Sequence, residues 1–382
     1  MQALPQWGRR GALGDAAEAD AEAADLALRA ATADVELAAE ELWLDLVALS
    51  ATRDVLRANL DSFRSSAEVV RGRFEANLAG SSELFAIEEE AVRLEDELES
   101  TAAQYPVVWA RMAALVGAEK APAEGPRPGL ESLGFASDGA DAGDSPGAAA
   151  LNAAAWRAAL ERGTWASLAL TAREAGAAAR IEVAEASNEP RFKLGVEYTF
   201  VGDDAPSANA GDDALAFSFG VSVPFWRDAD AAEVERERAL LRATRFERVA
   251  QRAADQARLE ELLAAHDEHV RHLALLETRV IPLAQQTIAA EQRAYEAGSG
   301  SYLDLVRLQR RLYDDLLEAQ LARIELERIA LRLANLTRSA APDVATSPAP
   351  DADVLETPTT HEVVSAPAQA AQPAPASQED PR

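Results

Sequence analysis

The residue types that could do chemistry are few. Histidine occurs four times, three of them within His266-Asp267-Glu268-His269-Val270-Arg271-His272. His266 and His269 stand one helical turn apart, a spacing at which two imidazoles can share a metal ion. Both also fall on an apolar helix seam traced below, where an imidazole hydrogen-bonded to a neighbour is the commoner arrangement, so no metal ligands are assigned. There is no cysteine to serve as nucleophile or thiolate ligand. No glycine-rich phosphate loop leads into a helix and no Ser/His/Asp set stands out, so the chain is read as not an enzyme and no cofactor is expected. The turn residues Asn77 and Gly298, which tolerate positive φ, are each followed within the next turns by an acid, Glu83 and Asp304, that nothing in residue type alone sets apart from the other carboxylates. Asp304 precedes Arg307 by three residues, the spacing of a surface salt bridge on one helix.

The elements that position these groups follow from composition. The 382 residues are 48% hydrophobic and 27% charged, enough to bury a large core, yet only 5% are aromatic. Much of the apolar fraction is alanine, which favours long helices packed closely together. Lys+Arg 37 against Asp+Glu 65 leaves a formal charge of −28, which argues against a nucleic-acid partner and for a surface that attracts cations. No stretch is apolar enough for a transmembrane helix. The opening MQALPQWGRRGALGD lacks the apolar core of a secretory signal, so the protein is expected to be cytosolic or to lack its leader in this sequence.

Helical pattern runs from Leu13 to Ala76, breaks at 77–80, and resumes from Ser81 to Val116 with a kink expected at Pro106. Seven Gly and four Pro between Gly117 and Gly147 read as a mobile linker. Helix returns over 148–187, with a break near Gly163. The period then changes to two. Phe192, Leu194, Val196, Tyr198 and Phe200 alternate with polar residues, and so do Leu215, Phe217, Phe219, Val221, Val223 and Phe225, giving two strands within 191–225. Each is as long as a strand that crosses a bilayer, ~9–11 residues. The alternative is a soluble hairpin lying on a core. From Arg227 to Ala297 a helix of roughly 100 Å is expected, bent at Pro282. It carries two seven-residue ladders: Leu259, His266, Leu273, Val280, Thr287 and Leu262, His269, Leu276, Leu283, Ala290. A last helix spans Tyr302 to Leu336, and the Pro/Ala-rich tail 338–382 should be disordered.

The chain repeats itself. Shifted by 221 residues, RFEANLAGSSELFAIE at 73–88 lies on AYEAGSGSYLDLVRLQ at 294–309, pairing Phe74 with Tyr295, Asn77 with Gly298 and Glu83 with Asp304. Farther upstream LPQW at 4–7 aligns with VPFW at 223–226. Two copies of one unit result: 1–116, and 148–337 with the hairpin, joined by the linker 117–147. The hairpin matching the second copy's would lie ahead of Met1.

Strand-Pro, long helix, VIPLA at 280–284, the YEAG tip and LDLVRLQRRLYDDLLEAQLARIELERIALRLANLT at 303–337 together resemble the TolC-like outer-membrane efflux family. The resemblance implies a mainly α fold with a small β part, in which long antiparallel helical hairpins form an α-barrel and β-hairpins pool into an outer-membrane β-barrel. It further implies a homotrimer in the outer membrane of a Gram-negative bacterium with its helices in the periplasm. The implied function is a passive exit duct in outer-membrane lipid, coupled through a periplasmic adaptor to an inner-membrane pump. Residue by residue, it implies a gate at Tyr295, Asp304 and Glu83, and adaptor contacts at Phe74, Asn77, Gly298 and Gly300. Two positions depart from the family pattern: Gly300 stands where a basic residue is frequent, and Arg307 where a second acid is expected. The rival reading is a soluble coiled-coil scaffold without transport.

Overall fold

The computed structural model describes residues 2–3, 8–77, 79–118, 127–129, 152–187, 189–199, 214–222 and 227–340. The tail beyond 340 and most of the linker, on which two sequence expectations fall, lie outside the described residues. Strand β1 (Gln2–Ala3) is followed by the helices α1 (Arg9–Glu75), α2 (Ser81–Leu115), α3 (Ala153–Glu161) and α4 (Trp165–Ser187). Then come strands β2 (Arg191–Thr199) and β3 (Ala214–Ser222), helix α5 (Arg227–Leu275), a π-helical turn (Leu276–Val280), α6 (Ile281–Glu296) and α7 (Tyr302–Leu336). The mainly helical fold with a small antiparallel sheet is the one the sequence predicts.

Alanine decides how the first layer packs. α1 turns Ala12, Ala16, Ala19 and Ala23 toward α4, which answers with Ala169, Ala172, Gly176 and Ala177, all buried. A Cβ at Gly176 would sit 3.0 Å from Asp20 Oδ1 and 3.4 Å from the Ala19 methyl, so the backbones approach as closely as glycine allows. Arg180 closes the edge by donating to Asp20 at 2.9 Å. On its other side α4 packs on α5. Its start is fixed by a reciprocal cap in which Ser167 N–H donates to Thr164 Oγ1 at 3.1 Å and Thr164 N–H to Ser167 Oγ at 2.9 Å. The Thr164 hydroxyl then donates to the buried Asp255 carboxylate of α5, whose other oxygen accepts from Gln251, both at 2.8 Å. The expected break near Gly163 is this junction between α3 and α4.

Toward the tips α1 packs on α2, and α7 packs on α1, α5 and α6. Phe63, Ile87 and Leu94, all but fully buried, centre a cluster that joins Leu84, Tyr302 and Leu305. Each such side chain contributes about 1.5–3 kcal/mol. Arg328 and Arg332 of α7 reach Asp45 and Glu41 of α1 at 2.8 and 2.6 Å. Pro106 lies inside α2 beside the buried Tyr105, whose hydroxyl bonds Ser50 Oγ of α1 at 2.9 Å. In the segment read as a mobile linker, Pro128 is buried and the Arg127 guanidinium lies 5.3 Å from the Tyr105 ring centre.

The second long helix corrects the sequence reading. Near Pro282, where a bend is expected, the five residues Leu276–Val280 form a π turn. Proline has no N–H for the Thr278 carbonyl and its ring crowds that turn, and the widened turn accommodates both. A π turn also takes up one extra residue, which shifts the seam. Before it the covered positions are those of the ladders: Leu259, Leu262, His266, Leu273 and Leu276. After it Leu283, Thr287 and Ala290 face solvent, and the covered positions are Ile281, Ala284, Ile288, Glu291 and Tyr295, each one residue later than the ladders predict.

Candidate functional site

Both tips are built alike. α1 and α6 end on Glu75 and Glu296, α2 and α7 begin at Ser81 and Tyr302 and end at Leu115 and Leu336, all at the 221-residue offset of the repeat. Asn77 (φ 56°) and Gly298 (φ 77°) occupy the left-handed position after each helix. At the second tip Gly298 N–H donates to Tyr295 O and Ser299 N–H to Ala294 O, both at 2.9 Å, which is the Schellman pattern. Asn77 N–H donates to Phe74 O at 2.9 Å in the same way.

Tyr295, carried inward by the π turn, meets the first repeat. Its hydroxyl donates to Glu83 Oε2 at 3.2 Å, its ring packs on Tyr302 with centroids 5.2 Å apart, and the Arg73 guanidinium lies 4.4 Å from its centroid. A hydrogen bond to a charged acceptor contributes about 1.5–3 kcal/mol, the ring pair about 0.5–1.5 and the cation–π contact about 0.5–1. Burial, and then the charge of Glu83, push the Tyr295 phenol above its ordinary range, while Arg73 opposes them. Burial raises Tyr302 to about 12, with the Ser66 hydroxyl working the other way.

The three residues read as a gate are therefore not one cluster. Tyr295 and Glu83 are in contact, whereas Asp304 is exposed and pairs with Arg307 of its own helix at 3.1 Å. Phe74, Asn77 and Gly298 are exposed at the tips. Gly300 is not free in this way: a Cβ there would lie 2.5 Å from Tyr295 N and 2.8 Å from Glu291 Oε1, and Glu291 accepts the first N–H of the α7 start, Ser301, at 3.1 Å. The glycine is thus required where a longer side chain is frequent in the resembled family. One contact escaped the sequence reading. Arg310 of α7 reaches Glu90 and Glu97 of α2 at 2.8 and 2.7 Å, tying the two repeats together just behind the tip. An arginine among many acids carries no sequence signal that picks it out.

The histidines lie elsewhere. His266 is buried on the α5 seam, His269 is half-buried, and His272 Nε2 sits 2.9 Å from Glu318 Oε1 of α7. Among the described residues no group of three or more His, Asp or Glu side chains is placed to hold a metal ion.

At the other end β2 pairs antiparallel with β3, and β1 adds to the free edge of β2 through Gln2 opposite Leu194 and Ala3 opposite Lys193. The β2–β3 register sets Phe192 opposite Val221, Leu194 opposite Phe219, Val196 opposite Phe217 and Tyr198 opposite Leu215. All eight share one face and all are exposed, Phe217 at 76%. Each strand has 9 residues, the length of a tilted bilayer crossing. No described helix is long and apolar enough to cross a membrane.

The arrangement of these elements is similar to that of solved structures. A membrane protein of Pseudomonas aeruginosa superposes with a TM-score of 0.73 at 16% identity, covering 88% of this chain and 72% of its own. The chain has the TolC-like fold. The outer membrane protein VceC of Vibrio cholerae gives 0.69 at 18% identity over 88% and 77% of the two chains. The MtrE outer membrane channel of Neisseria gonorrhoeae, in its open state, gives 0.67 at 17% over 88% and 73%. No sequence-family profile matches the chain and no curated protein sequence matches it. The TolC-like likeness is carried by the arrangement of elements, as expected where a seam of Ala and Leu can be rewritten without changing its packing.

Proposed function

We propose that the chain is the outer-membrane duct of an export system, working as a homotrimer whose hairpins enter lipid and whose helices form a periplasmic tunnel. The observation that carries this reading is the exposed face of eight apolar side chains on β2 and β3, paired in register over a bilayer-length span. A soluble scaffold would leave that face in water, where a contiguous apolar patch promotes aggregation. The TolC-like fold supports the same reading. An inner-membrane pump supplies the energy and a periplasmic adaptor seats on the tips at Phe74, Asn77 and Gly298. The duct itself is passive and needs no cofactor.

The tips act as the gate. Tyr295 donating to Glu83 latches the second repeat to the first, and opening requires that bond to part. Asp304, repeated in each copy, rings the constriction with negative charge and favours cations, since a poorly hydrated neck screens charge weakly. The test is localisation. The full gene product, expressed in a Gram-negative host, should fractionate with outer membranes and resist carbonate extraction. Recovery in the soluble fraction would overturn the duct.

A further inference from the structure

We propose that the cleft where α3, α4 and α5 meet binds a small α-amino acid with an aliphatic side chain. The proposal goes beyond the duct above and does not depend on it, since the cleft lies midway along α5, away from the tips and from the hairpin.

The junction is built around an acid taken out of water. Arg157 of α3 forks onto Glu260 of α5 with two bonds of 2.7 Å, which pins the short helix against the long one and makes one wall. Beside it opens a cavity of about 390 Å³, within the range of about 300–1,000 Å³ of small-molecule sites. Leu160 and Leu259, packed on each other, give it an apolar side. Asp255 also lines it and is only 8% exposed. Its carboxylate accepts from the Thr164 hydroxyl and the Gln251 amide, both neutral donors, at 2.8 Å. An ionised carboxylate can accept about four hydrogen bonds, so about half of that capacity is left. A buried charge is costly unless it is paired, and among the described residues Asp255 makes no ion pair. No group of three or more described His, Asp or Glu side chains is placed to hold a metal ion, so the counter-charge that fits is an organic ammonium.

A second charge supplies the other end of the ligand. Arg252, on the same cleft, precedes Asp255 by three residues, so the two share one face of α5 with their Cβ atoms about 5–6 Å apart. They are not paired with each other, and among the described residues Arg252 has no other ion-pair partner. An ammonium and a carboxylate carried on one carbon fit between them, the ammonium donating to Asp255 and the carboxylate accepting from Arg252, whose planar fork matches it. The side chain of the ligand then lies on Leu160 and Leu259. Glu161 at the exposed mouth is also without an ion pair, and it disfavours a ligand that carries a second carboxylate.

L-Leucine is the probe, titrated by saturation-transfer NMR against the full chain in detergent. It should bind saturably at a single site. 4-Methylpentanoate, which lacks the ammonium, and 3-methylbutylamine, which lacks the carboxylate, should each bind about tenfold more weakly. Arg252→Gln removes an exposed charge and leaves the bonds of Asp255 in place. It should weaken L-leucine about tenfold and leave 3-methylbutylamine unchanged. Absence of saturable L-leucine binding overturns the site, and so does an acid or an amine that binds as well as the amino acid. An Arg252→Gln effect that is nil, or equal on the two ligands, overturns it as well. None of these outcomes bears on the duct, whose test is localisation.

Discussion

Tyr295→Phe isolates the latch from everything else at the tip. The substitution deletes one oxygen, leaves the ring on Tyr302 and under Arg73, and strands a half-buried Glu83 carboxylate without its 3.2 Å donor. At that length the lower end of the range for a charged acceptor applies, about 1.5 kcal/mol per copy, or roughly tenfold in the ratio of closed to open. Three latches that must part together compound to roughly a thousandfold. Single-channel recording in a planar bilayer reads this as open probability at fixed voltage. Glu83→Gln keeps an acceptor of lower charge and should fall between wild type and Tyr295→Phe. An open probability in Tyr295→Phe equal to wild type, with Tm unchanged, would refute the latch, because the bond would then contribute equally to both states.

Asp304→Asn should reduce cation preference, seen as a shifted reversal potential under a salt gradient; an unchanged potential confines Asp304 to its exposed pair with Arg307, which is worth a few tenths of a kcal/mol. Gly300→Ala forces a methyl to within 2.5 Å of Tyr295 N and should loosen the second tip by about 1–3 kcal/mol, read as faster hydrogen exchange over 294–302. Tyr105→Phe leaves the buried Ser50 hydroxyl without its partner at a cost of about 1–3 kcal/mol, measurable as a lower Tm. Tyr302 has its folded value raised to about 12 from an ordinary 10.0. The stability tied to its neutral form is therefore whole below about pH 10 and is lost as pH rises toward about 12, so denaturant midpoints should fall across that window and Tyr302→Phe should flatten the fall.

Much of this fold was legible because it is written in punctuation. Asn77, Gly298 and Gly163 mark helix ends whatever surrounds them, and the 221-residue offset carries every boundary of α2 onto α7. The hairpin was legible because period two over nine residues has no helical reading. The phase of the seam beyond Pro282 was not. A π turn moves covered positions by one residue without changing any residue type, so Leu283 looks like a seam position and Tyr295 does not. The residues proposed as a gate could be named from the sequence, but their geometry could not. Glu83 and Asp304 are equivalent by repeat, yet one meets Tyr295 across the repeats and the other meets Arg307 on its own helix, because the Phe74 that pairs with Tyr295 has no hydroxyl to offer. Arg310 depends on the packing of α7 on α2, which no local pattern encodes.

The central claim is that one face of the β2–β3 hairpin meets lipid and the other meets water. Since the chain has no cysteine of its own, a nitroxide on Phe217→Cys or Phe219→Cys, compared with one on Ser218→Cys, reads each face separately in reconstituted vesicles. Oxygen, which partitions into lipid, should relax the labels at 217 and 219 more strongly than a water-soluble nickel complex does, with the order reversed at 218. Equal access of the nickel complex to all three positions would place the hairpin in water and contradict the account.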